Sequence, residues 1–282
     1  MRLPSSRRVC AVIAAACVAL PPAVAQQPAT PVGKVEGSAW VHTPESAKAA
    51  IAQAQVGLPA RVTGGAPFVG RLSAVPATQP VRVPVVLFLH GSSGLGLAAI
   101  GQWQAWLAGL GIASLAPDSM ALPGRLTYTS PIEVPTYERI HALRASEIAL
   151  GRDALAALPW ADPARLVLAG TSEGAVPVAR DGGAWAGRMM FAWSCEDNYF
   201  VEAHRTATTA APVLNVISSV DPFFSPSNAW LGNPKAIGHC GGALRAHPAT
   251  TVVLVPGAPH TLLNLPQVRA ATRGWLEDLL KP

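Results

Sequence analysis

The sequence predicts an α/β fold: a mostly parallel central sheet of about eight strands with helices on both faces. Three observations predict it. Short apolar runs such as Pro84–Leu89 recur without polar alternation, as strands covered on both faces require. Segments with apolar residues at helical spacing separate them, which is the pattern of parallel βαβ units. One apolar run ends in Gly170-Thr171-Ser172-Glu173-Gly174, a G-x-S-x-G sequence, the form in which a serine sits on a sharp turn between a strand and a helix.

The elements follow in order. Residues 26–35 are rich in Pro, Gln, Ala and Thr and read as a flexible leader. Pro44–Gln55 holds good helix formers and predicts a short peripheral helix. Leu58–Thr63 and Phe68–Ala74 predict an edge hairpin turning through Gly64-Gly65. Pro84–Leu89 is a buried strand, and Ile100–Leu110 a helix stopped by Gly111. Ile112–Ala116 is a strand ending in Pro117-Asp118. Thr136–Leu158 is a long helix whose buried stripe draws on Ile140, Leu143, Ile148 and Leu155. Leu166–Ala169 leads into the Ser172 turn. Pro177 falls early in the helix after it, and Asp181-Gly182-Gly183 ends that helix. Met189–Trp193, Val213–Ile217 and Thr251–Val255 are further strands. Leu262–Leu280 closes the chain with helix, interrupted or entered at Pro266.

Residues 1–25 read as a signal peptide. Arg2, Arg7 and Arg8 form a basic start, Val9–Leu20 is an apolar run too short to span a bilayer, and Ala23-Val24-Ala25 is an A-x-A cleavage site. An uncleaved anchor is the alternative. A lipoprotein reading through Cys17 meets Ala14, not Leu, three residues before it. The expected organisation is therefore a signal peptide over 1–25, a leader and peripheral segment over 26–57, and one α/β domain of ordinary size over 58–282. The expected localisation is secreted or periplasmic, with no stable membrane insertion after cleavage.

The signal arginines account for three units of the +5 net charge, so +2 remains on the mature chain. Lysine is scarce and no dense basic patch occurs, so nucleic acid is not an expected partner. Cys10 and Cys17 leave with the signal. Cys195 and Cys240 remain, and an even pair in an exported chain predicts a disulfide, with two buried free thiols as the alternative.

The chemistry needs a base within reach of the Ser172 hydroxyl and a carboxylate to orient that base. Asp221 follows the strand Val213–Ile217, and His260 follows Thr251–Val255. Ser172, Asp221 and His260 thus leave the carboxyl ends of parallel strands, the rim where such sheets bind ligands. Glu196 and Asp197 are rival carboxylates; His239 and His247 are lower-ranked bases. Attack on a carbonyl creates an oxyanion. One backbone donor is expected from Glu173, and a second from Ser92 or Ser93 in the turn His90-Gly91-Ser92-Ser93-Gly94. Gly170 and Gly174 are expected where a side chain would collide with neighbouring backbone. His90 is expected to organise the turn rather than carry protons. The Glu173 side chain is expected inside, paired with Arg125 or Arg144. Ser119–Pro135 and Phe223–Ala249 are expected to overhang the rim. The spacing of Cys195, His239, Cys240 and His247 fits no common zinc site, so neither metal nor organic cofactor is expected.

These pieces, from about residue 60 onward, together resemble the α/β-hydrolase superfamily and its dienelactone-hydrolase-like branch. The carriers are His90-Gly91, Ala116-Pro117-Asp118-Ser119, Gly170-Thr171-Ser172-Glu173-Gly174, Val220-Asp221-Pro222 and Pro259-His260. Dienelactone hydrolases proper use cysteine where this chain has Ser172, work in the cytoplasm, and end the turn in two glycines where Ala175 stands here. The resemblance implies hydrolysis of a carboxylic ester or lactone, on a small-molecule or polymer substrate. A peptidase or amidase on the same fold, and a catalytically silent binding protein, are the alternatives.

Overall fold

The computed structural model describes residues 31–281, so the signal segment, Cys10, Cys17 and the start of the leader lie outside the described residues. The chain runs β1 (Val35–Glu36), α1 (Pro44–Ala52), β2 (Gln55–Leu58), α2 (Ala60–Thr63), β3 (Phe68–Arg71), β4 (Val83–Leu89), α3 (Ala98–Gly109) and β5 (Ala113–Ala116). It continues through β6 (Thr127–Tyr128), α4 (Val134–Ala157), β7 (Ala161–Thr171), α5 (Ala175–Arg180), β8 (Gly187–Phe191), β9 (Val213–Ser218), β10 (Thr250–Val255) and α6 (Pro266–Leu279).

Eight strands form one sheet in the order β10-β9-β8-β7-β4-β5-β2-β3. The six strands from β10 to β5 are mutually parallel, and β2 and β3 add an antiparallel edge. β1 and β6 make a separate antiparallel pair.

The unbroken apolar character of β4 has a direct cause. Val85, Leu87 and Leu89 point into one core with Trp160, Leu168 and Trp193. Val86 and Phe88 point into the other with Trp103, Phe191 and Leu262. Both faces of the pleat are covered, so neither phase of the alternation reaches water. α3 and α6 cover one face through Ile100, Trp103, Val268 and Leu276. α4 and α5 cover the other through Ile148, Leu155, Val176 and Val178.

Two expected elements take a different form. The edge hairpin exists, but its first arm is Gln55–Leu58, paired with Phe68–Arg71. Pro59 supplies no N–H for a ladder and instead precedes a helical turn over Ala60–Thr63. The sheet therefore begins three residues before the expected boundary at 58. The last helix starts at Pro266 in its first turn, where the missing N–H costs nothing; Leu262–Leu265 forms a turn before it.

Candidate active site

Ser172 follows the last residue of β7 with φ at 53°, a left-handed backbone that a serine rarely adopts. The glycines on either side explain how the chain tolerates it. A Cβ at Gly170 would overlap the carbonyl of Gly174, and one at Gly174 would overlap the carbonyls of Leu89 and His90. Only glycine lets the short helix α5 start so close to β4 and β7. The hydroxyl is thereby raised at the carboxyl end of the sheet.

Asp221 and His260 reach the same rim from the loops after β9 and β10. Oγ of Ser172 lies 2.9 Å from Nε2 of His260, and Nδ1 of His260 lies 2.7 Å from Oδ2 of Asp221. A carboxylate only accepts, so Nδ1 carries the hydrogen and Nε2 is free to accept from the serine. Asp221 is fully buried. Its Oδ1 accepts from the amides of Phe223 at 2.9 Å and Phe224 at 3.1 Å, which turns Oδ2 toward the imidazole.

The two loops are tied to each other below the site. Ser218 donates its hydroxyl to the Ala258 carbonyl at 2.6 Å, and the Ser219 amide donates to Val255 at 3.0 Å. Sequence reasoning missed Ser218, which looks like any strand-end serine. It also missed Asn215. This buried residue of β9 donates to the carbonyls of Met190 and Trp193 and accepts from the Cys240 amide at 3.0 Å. Cys195 and Cys240 are joined as a disulfide beside it, with Cα atoms 4.6 Å apart.

The rival residues sit elsewhere. Glu196 accepts from the amides of Ile237 and Gly238, and Asp197 accepts from His204. His239 and His247 accept from backbone amides two residues on. None of the four is bonded to Ser172 or His260.

Ser92 and Ser93 line a cleft of about 50 Å³ together with Gly91, Ser172, His260 and Leu263. Among the described residues, the amides of Ser92 and Ser93 meet no hydrogen-bond acceptor. His90 lies beneath this turn, fully buried. Its Nδ1 donates to the Gly91 carbonyl at 2.7 Å and its Nε2 accepts from the Ser119 amide at 3.2 Å. Burial, reinforced by the Arg144 charge, holds the imidazole well below its ordinary pKa, so it is neutral and structural.

A buried ionic cluster supports both turns. Arg125 donates from Nη2 to Oε1 of Glu173 at 2.6 Å. Nε of Arg144 faces the same oxygen at 3.5 Å, an ion-pair contact rather than a hydrogen bond. Arg144 also pairs with Glu147 and donates from Nη2 to the His90 carbonyl at 2.8 Å. The Glu173 side chain therefore meets both expected arginines. Glu147, one turn along α4 from Arg144, gave no sequence signal, because charged residues on a long helix normally face water. Burial, then the Glu173 charge, pushes the neighbouring Tyr128 hydroxyl well above its ordinary pKa.

An aromatic wall borders the imidazole. Phe223 stands 4.7 Å from His260 between ring centroids, and Phe224 6.0 Å. Tyr199 and Trp230 extend it, 4.5 Å apart. A larger depression of about 560 Å³, bordered by Arg61, Pro84, Arg165 and Arg273, lies at the opposite end of the strands.

No protein-family model matches the chain, and no curated protein matches it. Solved structures do. One is a dienelactone hydrolase-like promiscuous phosphotriesterase from metagenomic libraries, 17% identical, with a TM-score of 0.51, covering 80% of this chain and 98% of that one. Another is a Thermus thermophilus protein, 20% identical, also with a TM-score of 0.51, covering 72% of this chain and 91% of that one. The shared architecture is the α/β-hydrolase fold, and this chain has it.

Proposed function

We propose that this chain is an exported serine hydrolase that cleaves a carboxylic ester or lactone through an acyl-enzyme. The observation that carries the reading is the continuous line from the Ser172 hydroxyl through His260 to the buried Asp221, at 2.9 and 2.7 Å. A hydroxyl held in a strained left-handed turn, with an imidazole oriented by a carboxylate, is the arrangement acyl transfer needs.

In this reading Oγ of Ser172 attacks the substrate carbonyl carbon, and its proton passes to Nε2 of His260. Asp221 stabilises the imidazolium. The carbonyl oxygen takes the negative charge and receives hydrogen bonds from the amides of Glu173 and Ser92. Ser92 is preferred over Ser93 on peptide geometry. The Gly91 carbonyl is taken by His90 and by the Gly94 amide, and a trans peptide sets the Ser92 N–H on the opposite side. Collapse of the intermediate expels the alcohol, which leaves with the proton from His260. Water, deprotonated by His260, then attacks the acyl-enzyme and releases the acid and Ser172.

The name borne by one structural neighbour, a dienelactone hydrolase-like promiscuous phosphotriesterase, supports ester-type chemistry. Export rests on the N-terminal sequence and agrees with the disulfide. Among the described residues, no helix is long and apolar enough to cross a membrane.

The test is covalent labelling of the mature protein by a fluorophosphonate, followed by rates on aryl esters, lactones and peptide amides for wild type and Ser172→Ala. Labelling at Ser172 and ester turnover that vanishes in the variant are expected. Amide turnover equal to ester turnover would point to a peptidase, and neither labelling nor turnover to a silent scaffold. An intact mass beginning near Gln26 in the exported protein checks the signal.

A further inference from the structure

We propose that Arg144 is a positioning residue that holds the two oxyanion donors at their working separation. The inference rests on the hydrolase reading and deepens it. The two donors belong to different turns. Ser92 follows β4, and Glu173 follows β7. These strands are neighbours, and their ladder ends at the pair Leu89 and Gly170. Beyond that pair no sheet hydrogen bond keeps the turns in register, yet the donors must converge on a single oxygen atom.

One guanidinium spans the gap. Arg144 comes from α4, is fully buried, and touches both turns: the His90 carbonyl at 2.8 Å and the Glu173 carboxylate at 3.5 Å. A second route joins the same points. Glu173 is bonded to Arg125, Arg125 to the Ser119 hydroxyl at 2.7 Å, and the Ser119 amide to the His90 ring at 3.2 Å. Arg144, His90, Ser119, Arg125 and Glu173 therefore form a closed polar ring around the base of the oxyanion site. A planar guanidinium with donors at fixed angles sets a distance as a flexible ammonium does not. Burying these charges carries a desolvation cost that weighs against stability as their purpose. Fixing two turns that the sheet leaves free is a function that accounts for it.

The test compares full-length wild type with Arg144→Met/Glu147→Met. The double variant removes the partnered charges together and leaves Glu173 with Arg125. The expected outcome is a folded protein that fluorophosphonate labels to wild-type stoichiometry. Its kcat on a p-nitrophenyl ester falls about 10- to 100-fold while KM stays within about threefold, because misplaced donors fail mainly in the transition state. Affinity for a trifluoromethyl ketone analogue should fall in proportion to kcat. A purely structural role would lower the melting temperature and leave kcat per labelled site unchanged. Arg144→Lys, which keeps the charge and loses the fork, should show a smaller drop of the same kind; it decides the matter if the double variant does not fold. A kcat per labelled site within about twofold of wild type, in the folded double variant or otherwise in Arg144→Lys, overturns the proposal. A wild type that neither labels nor turns over ester overturns the hydrolase reading itself, and this inference with it.

Discussion

Phe223 holds both partners of the Asp221–His260 pair. Its amide donates to Oδ1 of Asp221 at 2.9 Å, and its ring meets the imidazole of His260 edge-on, with planes at 65°. The backbone thus aims the carboxylate while the side chain limits the swing of the base. Phe223→Ala keeps the first contact and loses the second. An edge-on aromatic contact is worth about 0.5–1.5 kcal/mol, so kcat on acetate esters should drop about two- to tenfold. Phe223→Leu should fall between. Steady-state kinetics of the three proteins check this; equal kcat values would show that the ring does not steady the base.

Asp221→Asn keeps the shape of the carboxylate and alters its hydrogen bonding. An amide can donate to Nδ1 and favour the tautomer that no longer accepts from Ser172. The expected loss is about 10⁴-fold in kcat, the size of effect seen for the same change in a serine protease triad. A retained melting temperature would separate this from unfolding.

Gly174→Ala should be severe, since the new methyl meets the carbonyls of Leu89 and His90, neither of which can yield. About 2–4 kcal/mol of destabilisation is expected, with loss of turnover. Gly182→Ala is the control. Its Cβ would meet nothing within 4 Å, and a change within about 0.5 kcal/mol is expected. Urea titration of both variants measures the contrast.

The disulfide spans 45 residues of sequence. In the chain-entropy model a loop of that length stabilises the fold by about 4 kcal/mol. Cys195→Ala/Cys240→Ala should therefore melt about 10 °C lower. The Asn215 bonds to the Cys240 amide and the Trp193 carbonyl should persist, so turnover well below the melting point should survive. Calorimetry and a rate assay near room temperature test the two halves.

Acid should weaken the fold through His141. Its Nε2 donates to the Phe200 carbonyl at 2.9 Å, and burial lowers its pKa from 6.5 to about 4. The unfolded chain takes up a proton near pH 6.5, and the folded chain only near 4. The stabilisation is therefore whole above 6.5 and is lost as the pH falls toward 4, by up to about 3 kcal/mol. His204, also lowered to about 4 by burial, adds in the same direction. His141→Gln keeps a donor for Phe200 and should flatten the fall in melting temperature over that window.

Much of this was legible along the chain. Buried strands betray themselves as unalternating apolar runs, and β4, β9 and β10 lie within a residue or so of their expected bounds. Ser172 was legible because its glycines answer local crowding, which a short segment encodes. The edge region was less so: Leu58–Thr63 has strand-like composition, but Pro59 breaks it and only pairing with β3 shows which residues remain extended. Asp221, Glu196 and Asp197 all follow strands; the Val220-Asp221-Pro222 resemblance favours Asp221, but its contact with His260 depends on the loop paths.

By itself the sequence determined the alternation of elements, the serine turn and the side of the sheet where polar residues gather, because these depend on periodicity and local backbone sterics. Only the tertiary structure decided which carboxylate faces His260, that Glu173 meets both Arg125 and Arg144, and that Phe223 closes on the imidazole. Those pairings join segments up to 48 residues apart. They follow from strand order and loop path, which are settled when the whole core packs and leave no period in the chain.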